Sequence, residues 1–206
     1  MRRRRLPGDD WIACPCCRGP LSRVVRGGRP RPSCAACRFV YFANPGVGAA
    51  AVIRDGAGRV LLVRRARGQF GAGRWCIPCG FVEWGEDVRA AAAREVREEA
   101  GVAVRIGPIL QVASNFHERE KPTIGVWFAG TLVDPRARPV AGDDAVAVAW
   151  FDPAKPPPLA FPTDARVLAR LARPRQRGRA VSSTSGPSAA ASSGVRTAAR
   201  RRSPAR

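Results

Sequence analysis

A cluster of glutamates in the middle of the chain has the residue types and the spacing needed to bind a hard metal ion. Residues 80–102 read GFVEWGEDVRAAAAREVREEAGV. On a helix, Glu95, Glu98 and Glu99 stand at positions i, i+3 and i+4, so their carboxylates share one face. Mg²⁺ prefers such oxygen ligands and bridges to substrate phosphates. The alternative is a solvated face of arginine and glutamate ion pairs. The preceding glycine loop favours the metal site.

Residues 87–100 are predicted to form the helix that carries these glutamates. They contain five alanines and neither glycine nor proline, and an acidic pair at the start suits the positive end of a helix. Gly101 follows as a usual signal for the C-terminal end. Val88, Ala92 and Val96 form a small apolar stripe. This stripe lets the helix pack closely against a sheet.

A second motif, near the N-terminus, consists of two cysteine pairs. Residues 14–17 read CPCC, residues 34–37 read CAAC, and sixteen residues separate them. This spacing is typical of two thiolate hairpins that close a tetrahedral zinc site. The predicted zinc ligands are Cys14, Cys17, Cys34 and Cys37. Cys16 is an alternative to Cys17, but Cys17 gives the same two-residue gap as the second pair.

The zinc is expected to be structural, because four thiolates leave no open position for water. A disulfide framework is the alternative, and seven cysteines in a chain without a secretion signal argue against it. We therefore expect a small zinc ribbon at this end of the chain.

The composition indicates one domain of ordinary size with additional segments. The chain has 206 residues, of which 45% are hydrophobic, and a formal net charge of +20. Only two of the 36 basic residues are lysines, and many arginines lie near the two ends. The charge is weak evidence for a nucleic-acid partner, although it raises encounter rates with phosphate compounds. No apolar run approaches bilayer-spanning length, so we expect a cytoplasmic protein without membrane contact.

Alternating strand and helix patterns predict an α/β domain. A hairpin turn at residues 55–58 is predicted to pair the strands on either side of it. A closing helix is predicted over residues 163–172, with Thr163 as its N-cap. The predicted strands are residues 46–53, 60–65, 70–78, 102–112, 123–133 and 145–151.

The glutamate motif resembles the signature of the Nudix hydrolases, GX5EX7REUXEEXGU. Gly80, Glu86 and residues 94–102 fill every fixed position of that signature. The order of zinc ribbon, short aromatic bridge, strand pair and motif resembles the NADH-pyrophosphatase-related branch, and similar arrangements occur in ADP-ribose and FAD pyrophosphatases. The resemblance covers about residues 12–172. It implies an α/β/α sandwich with a mixed sheet, preceded by the ribbon.

This interpretation divides the chain into four parts. Residues 1–11 are predicted to be a disordered basic N-terminus, residues 12–42 the zinc ribbon and residues 43–173 the Nudix domain. Residues 174–206 contain almost no large apolar side chain, so ordering them would bury too little surface to offset the entropy lost. They are predicted to be a disordered basic tail.

The resemblance also implies a role for each charged residue of the motif. It makes Glu95 and Glu99 the main ligands of Mg²⁺ or Mn²⁺, with Glu98 either a ligand or the general base. Arg94 would orient Glu95, and Glu86 would support the loop. These roles suit hydrolysis of a pyrophosphate, which needs a nucleophilic water and cations on the phosphate oxygens.

The backbone before the helix supplies a further predicted ligand, the carbonyl of Gly80. Many relatives have a second glycine where this chain has Cys79, which together with Cys76 is predicted to be a buried thiol. A further acid commonly comes from a later loop in the family. The candidates here are Glu118, Glu120 and Asp144.

The predicted substrate is a nucleoside diphosphate linked to another moiety, such as ADP-ribose, FAD or a related dinucleotide. One alternative is an NADH, NAD or NAD-capped RNA pyrophosphatase. The NADH branch carries a motif resembling SQPWPFPXS where this chain has SNFH at residues 114–117, which disfavours NADH. The proline typical of the ADP-ribose branch has a counterpart only in Pro122, which lies further along the chain.

A different class of function is a nucleic-acid-binding zinc-ribbon protein whose Nudix domain is not catalytic. The intact glutamates favour the enzyme, with a small molecule as partner and a homodimer possible. His117 is an optional base or substrate contact, and a solvent-exposed histidine is the alternative. Aromatic residues that can stack on a base, or equally pack in the core, are Phe42, Phe70, Phe116 and Trp127.

Overall fold

The computed structural model of the protein describes residues 11–117 and 121–172. The predicted disordered tail and nearly all of the predicted disordered N-terminus lie outside these ranges, and so do Glu118 and Glu120. Trp11 lies inside them, with its ring centroid 4.5 Å from that of Tyr41.

The N-terminal part is a small antiparallel hairpin between the two cysteine pairs. Strand β1 (Leu21–Arg26) pairs with β2 (Arg29–Cys34). Gly27 and Gly28 join the strands with φ angles of 58° and 72°. Positive φ at both central residues is the requirement of a tight two-residue hairpin turn, which glycine meets without strain. The hairpin places residues 14–17 and 34–37 at the same end.

The larger part contains two sheets and two helices. One sheet has the strand order β6-β3-β8-β7, in which only β3 and β8 run parallel, and the other has the order β5-β4-β9 and is antiparallel. The mixed sheet predicted from the sequence is therefore confirmed. The elements are β3 (Gly46–Ile53), β4 (Val60–Arg65), β5 (Trp75–Cys76), β6 (Cys79–Phe81), α1 (Val88–Ala100), β7 (Val104–Asn115), β8 (Thr123–Leu132), β9 (Ala145–Phe151) and α2 (Pro162–Ala172).

Strands β3 and β4 are buried on both faces, and their alternate residues build two cores. On one face, Ala51 of β3 packs in a cluster with Val96 of α1. On the other face, Val52 of β3 packs in a cluster with Leu168 of α2. Because successive side chains of a strand point to opposite faces, the sheets form a middle layer between two helices. This is the predicted α/β/α sandwich.

The prediction that residues 46–53 and 60–65 pair as one hairpin is wrong. The turn itself forms, since the Asp55 carboxylate accepts bonds from Ala57 N at 3.0 Å and Arg59 N at 2.8 Å. Only an isolated bridge joins Arg54 to Val60, and the two strands then enter different sheets. Each strand is central in its own sheet, with β6 and β8 beside β3 and with β5 and β9 beside β4.

The strand predicted over residues 70–78 is much shorter, because only Trp75–Cys76 is a strand. Gly71 and Gly73 have φ angles of 71° and 75°, so the chain turns before it reaches β5. Ile77 is fully buried, and Trp75 packs against the core, as predicted.

The closing helix begins at Pro162, one residue before the predicted N-cap. Proline suits the first helical position, where the missing N–H has no partner to lose. Thr163 is therefore inside the helix. Its hydroxyl is buried and has no hydrogen-bond partner among the described residues.

Asp164 links α2 to the two segments that lead into the glutamate motif. Its carboxylate is 1% exposed and accepts bonds from Ile77 N at 3.0 Å and Trp127 Nε1 at 2.9 Å. Burial raises the pKa of Asp164 to about 7, although both bonds favour the ionised form. A single side chain thus ties the last helix to β8 and to the residues just before β6.

We expect Asp164→Asn to change the dependence of stability on pH. An ordinary aspartate titrates near 3.9 when unfolded, so between about pH 4 and pH 7 the folded protein retains a proton on Asp164 that the unfolded chain has released. Its stabilising contribution is therefore full below about pH 4 and is lost as the pH rises to 7. The free energy of unfolding, measured with urea at pH 5 and pH 7, should fall less steeply with pH in the variant than in the wild type. The two slopes should differ by on the order of 1 kcal/mol per pH unit. Equal slopes would show that Asp164 is ionised in the native protein.

Candidate active site

The glutamate motif lines a cavity of about 580 Å³. Its lining residues from the motif and the preceding loop include Gly80, Glu83, Arg94, Glu95 and Glu98. Aromatic and amide side chains line the same cavity. Among them are Gln69, Phe70, Asn115, His117, Trp127 and Phe161. The lining therefore combines carboxylates with aromatic rings.

The predicted helix is confirmed as α1, with well-formed ends. The Asp87 carboxylate caps the start by accepting bonds from Arg89 N at 2.9 Å and Ala90 N at 3.2 Å. At the other end, Gly101 has a φ of 67°, and its N–H donates to Arg97 O at 3.0 Å. Fixed ends hold the glutamates of the last two turns in one position.

Arg94 connects the glutamates to the preceding loop. Its Nη1 donates to Glu95 Oε1 and to Glu98 Oε2, both at 2.8 Å. Its Nε and Nη2 bind the two oxygens of Glu86 at 2.8 Å and 3.0 Å, and Nη2 also donates to Phe81 O at 2.9 Å. Such a bidentate pair is strong and fixes geometry. One guanidinium therefore positions three carboxylates and a loop carbonyl.

Glu86 is held as an anion at the edge of the loop. The hydrogen bonds from Arg94 are the main cause that lowers the pKa of Glu86 to about 2, and the bond from Glu83 N adds to it. That backbone bond measures 3.0 Å. Glu86 therefore contacts the loop that it was predicted to support.

Gly80 lies directly against the carboxylate of Glu95. A Cβ added at this glycine would collide with both carboxylate oxygens and with the carbon between them. A side chain at this position would therefore have to displace the Glu95 carboxylate, because the backbone of β6 lies directly against it. Glycine is needed here for the close approach of backbone to carboxylate rather than for an unusual φ angle.

Glu99 is the most deeply buried glutamate of the motif, at 2% exposure. Its Oε2 accepts a bond from Cys79 N at 2.9 Å. Burial is the main cause that raises the pKa of Glu99 to about 10, and burial also raises the pKa of Glu95, against the effect of Arg94. Two buried carboxyls that resist ionisation favour a bound cation, which would stabilise their charged forms.

The departure at Cys79 does not keep the backbone away from the glutamates. Its N–H binds Glu99, and its side chain is half-buried at the edge of the cavity. Cys76 is fully buried, as predicted for a thiol that packs in the core. The loop therefore still brings the Gly80 backbone to the carboxylates.

Asp144 is the candidate later acid that the structure describes. It lines the same cavity, and its Oδ2 accepts a hydrogen bond from Gln69 Nε2. Repulsion from Asp144 adds to burial in raising the pKa of both Glu95 and Glu99, so its charge acts on the glutamate cluster. Glu118 and Glu120 lie outside the described residues.

The two cysteine pairs meet as the sequence predicted. Sγ of Cys14 lies 3.5 Å from that of Cys37, and Sγ of Cys17 lies 3.5 Å from that of Cys34. All four Sγ atoms lie within 4.8 Å of one another. Zinc with Zn–S bonds of about 2.3 Å has thiolates roughly 3.8 Å apart, so this group fits zinc. Cys16 is exposed and is not part of the group.

The family assignment follows from this architecture and from a direct match. The NUDIX domain family matches residues 44–171. The chain belongs to the Nudix family. The predicted enzyme class, a hydrolase acting on pyrophosphate bonds, is confirmed at this level. Among the described residues, the structure contains no helix long and apolar enough to cross a membrane.

Three similar proteins carry this family's fold or sequence. The ADP-ribose pyrophosphatase of Methanocaldococcus jannaschii is 30% identical over 125 residues, which cover 60% of this chain and 72% of that protein. The NAD-capped RNA hydrolase NudC of Stutzerimonas stutzeri is 32% identical over 98 residues, 46% of this chain and 34% of that protein. A crystal structure of a NUDIX hydrolase from Nitrosomonas europaea is 28% identical, with a TM-score of 0.69, and covers 82% of this chain and 94% of that one.

The structure also adds cavity residues that the sequence did not single out. Of the four aromatic candidates, only Phe70 and Trp127 line the cavity. Gln69, Asn115 and Phe161 line it as well, although nothing in their local sequence marks them. They come from three segments far apart in the chain, and only tertiary structure brings them together.

We expect Gly80→Ala to abolish most turnover while leaving the fold intact. The added methyl group must displace the Glu95 carboxylate, which is the flexible partner in the collision. Gly56→Ala is the matched control, because a Cβ there meets nothing within 4 Å. Turnover and melting temperature should be compared for both variants. Full activity of Gly80→Ala would mean that Glu95 is not needed in its observed position.

Proposed function

We propose that the protein hydrolyses the pyrophosphate of a nucleoside diphosphate linked to another moiety, such as ADP-ribose, FAD or a related dinucleotide. The observation that carries this proposal is the cavity, which is lined both by the Arg94-organised glutamate cluster and by aromatic side chains. A diphosphate fits beside the glutamates if a cation is present, and a base fits against the aromatic rings. The similarity to the ADP-ribose pyrophosphatase of M. jannaschii supports the same class of substrate.

The residues that would hold Mg²⁺ or Mn²⁺ are Glu95, Glu98, Glu99 and the carbonyl of Gly80. Their oxygen donors and the raised pKa of Glu95 and Glu99 suit a hard divalent cation. Such a cation supplies Lewis-acid activation of phosphate oxygens and lowers the pKa of bound water.

The protein's own side chains would orient the reaction. Arg94 holds Glu95 and Glu98 in fixed rotamers, and Glu86 holds the loop through Arg94. Glu98, 41% exposed, is the most accessible of the three helix carboxylates and is our candidate for general base, which takes the proton of the attacking water. Asp144 is our candidate for the further acid, because it lines the cavity beside Gln69.

The direct test is a panel of pyrophosphate substrates with Mg²⁺ or Mn²⁺. ADP-ribose, FAD, NAD, NADH and a nucleoside triphosphate should be compared by kcat/KM and by release of a mononucleotide. Preference for the linked diphosphates supports the proposal. Preference for the triphosphate, or no turnover of any compound, would contradict it.

A second candidate is an enzyme that acts on capped RNA. Residues 12–42 contain six arginines and no acidic residue, and the S. stutzeri relative is named an NAD-capped RNA hydrolase. RNA bound through phosphates binds less tightly as salt increases. A steep salt dependence of KM for a capped oligonucleotide, absent for the free dinucleotide, would favour this candidate.

We also propose that residues 12–42 form a structural zinc ribbon beside a Nudix domain at residues 43–173. Four thiolates would saturate the zinc, so it takes no part in the chemistry. The sulfur group of Cys14, Cys17, Cys34 and Cys37 supports this ligand set.

Cys37→Ser should lose bound zinc, stability and solubility, because a structural zinc site contributes directly to folding. Cys16→Ser is the matched control and should keep all three. Metal content per chain and melting temperature measure the effect. The assignment is wrong if Cys37→Ser stays fully folded and loses only turnover at saturating Mg²⁺.

Glu99→Gln should lower both metal affinity and turnover by orders of magnitude, because it removes one anionic ligand at constant size. Without metal, the variant should be at least as stable as the wild type, since burial already favours a neutral Glu99. Melting temperatures with and without Mg²⁺ should show that the metal-dependent stabilisation is lost. A surface ion pair predicts the reverse, a small loss of stability with normal activity.

A further inference from the structure

The N-terminal hairpin carries a charged surface that the hydrolytic site does not use. Residues 12–42 contain six arginines and no acidic residue. We propose that one face of this hairpin binds single-stranded nucleic acid, through its phosphates and through a stacked base. Such binding needs neither a cap nor hydrolysis, so it goes beyond the function proposed above. The strand register, one contact between an arginine and a phenylalanine, and the local charge balance carry it.

The register of β1 and β2 places three arginines on one face of the hairpin. Arg26 lies directly opposite Arg29, and Val24 lies directly opposite Arg31. Residues opposite each other in an antiparallel pair point to the same face, and so do residues two apart along one strand. The basic face defined in this way consists of Ser22, Val24, Arg26, Arg29, Arg31 and Ser33.

Phe42 adds an accessible ring to the basic face. An isolated antiparallel bridge pairs Val40 with Ser33, which directs Val40 and then Phe42, two residues on, to this side. The guanidinium of Arg31 lies 4.3 Å from the centroid of the Phe42 ring, and Phe42 remains 54% exposed. A cation over an aromatic face is attracted to it, so Arg31 holds the ring in place. The ring is therefore positioned before a ligand arrives, which lowers the entropy lost on binding.

The positive charge of the basic face is not neutralised within the part of the chain that the structure describes. None of its three guanidiniums forms an ion pair with a described carboxylate. Like charges directly opposite each other destabilise a strand pair, so placing Arg26 against Arg29 has a cost in the free protein. Nε of Arg31 donates to Arg26 O at 3.3 Å, which holds a third positive side chain against the same strand. A bound polyanion would offset this repulsion.

The combination of guanidiniums and an exposed ring favours a single strand over other polyanions. A guanidinium binds phosphate oxygens through several N–H groups at once. An aromatic ring in a positively charged groove stacks on an unpaired base of any identity. The bases of a duplex are already stacked on one another, and an anionic lipid headgroup has no base. The basic face therefore uses both its charge and its ring only with a single strand.

The test measures dissociation constants for three ligands by fluorescence anisotropy at several salt concentrations. They are an oligo(dT) strand of about twelve nucleotides with a 5′-hydroxyl end, an abasic strand of the same length, and the duplex of oligo(dT) with oligo(dA). We expect the full-length protein to bind oligo(dT) on the order of tenfold more tightly than the abasic strand, because stacking adds to phosphate contacts. Equal affinities for these two strands would overturn the proposal.

Arginine variants test the phosphate contacts. For oligo(dT), Arg29→Gln should make the slope of log K against log salt concentration shallower by about 0.7, the contribution of one phosphate contact on a single strand. Arg26→Gln repeats the test on the other strand of the hairpin. Arg166→Gln is the matched control, because this exposed arginine of α2 carries the same charge elsewhere, and it should keep the wild-type slope.

The melting temperatures of Arg29→Gln and Arg26→Gln should not fall, since each substitution removes a repulsion between opposite residues. If both variants keep the wild-type slope, the strand is bound by other arginines, such as those near the two ends of the chain, and the proposal is overturned.

Phe42→Leu tests the stacked base. It should weaken oligo(dT) binding by roughly tenfold without changing the salt slope, because it removes a ring and no charge. The abasic strand and the duplex should bind this variant as tightly as they bind the wild type. An equal loss of affinity for all three ligands, or no loss for oligo(dT) at an unchanged melting temperature, would overturn the proposal.

The outcomes of this test and of the substrate panel are independent, because the oligonucleotides contain no pyrophosphate. If oligo(dT) binds as expected but no linked diphosphate is cleaved, the proposed function fails and the basic face stands. If linked diphosphates are cleaved while Arg29→Gln, Arg26→Gln and Phe42→Leu all bind oligo(dT) as the wild type does, the basic face fails and the proposed function stands.

Discussion

The arrangement of the site depends on one guanidinium surrounded by carboxylates. Glu95 and Glu98 lie on one helix face, and a positive charge in a fixed position offsets the repulsion between their carboxylates. Arg94 supplies it from within the same helix by binding both, and it also reaches Glu86 and the carbonyl of Phe81. Arg94 binds only Oε1 of Glu95 and Oε2 of Glu98, and both residues line the cavity. Positioning and charge balance thus come from one residue.

Much of this part of the site could be predicted, because its residues lie in one helix and the turn before it. Helix signals are local: alanines, an acidic start and a terminal glycine define α1 without knowledge of the rest of the fold. The grouping of four cysteines was predictable for a similar reason, since paired spacing chooses Cys17 over Cys16 and the sulfur positions agree.

The sequence-based predictions are wrong where tertiary contacts determine the structure. The turn after β3 has a strong local signal and does form, yet the choice of sheet for β3 and β4 depends on partners far along the chain. Thr163 has the residue type of an N-cap, but the helix begins at the preceding proline. The Thr163 hydroxyl therefore does not cap the helix and has no hydrogen-bond partner among the described residues. The aromatic part of the cavity lining was only partly predictable, because Phe70, His117 and Phe161 share no local pattern and meet only in the folded protein.

The bond from Asp164 to Ile77 has a consequence for synthesis on the ribosome. The residues just before the Gly80 loop are held by a side chain of the last described helix, almost ninety positions later in the chain. Strand β3 likewise needs β8, which is made long after it. A nascent chain that still lacks α2 has translated every glutamate of the motif but has no Asp164 to bind Ile77. The N-terminal hairpin, whose cysteine pairs are close in sequence, can form much earlier, so the cysteine group and the glutamate motif would be completed at different moments of translation.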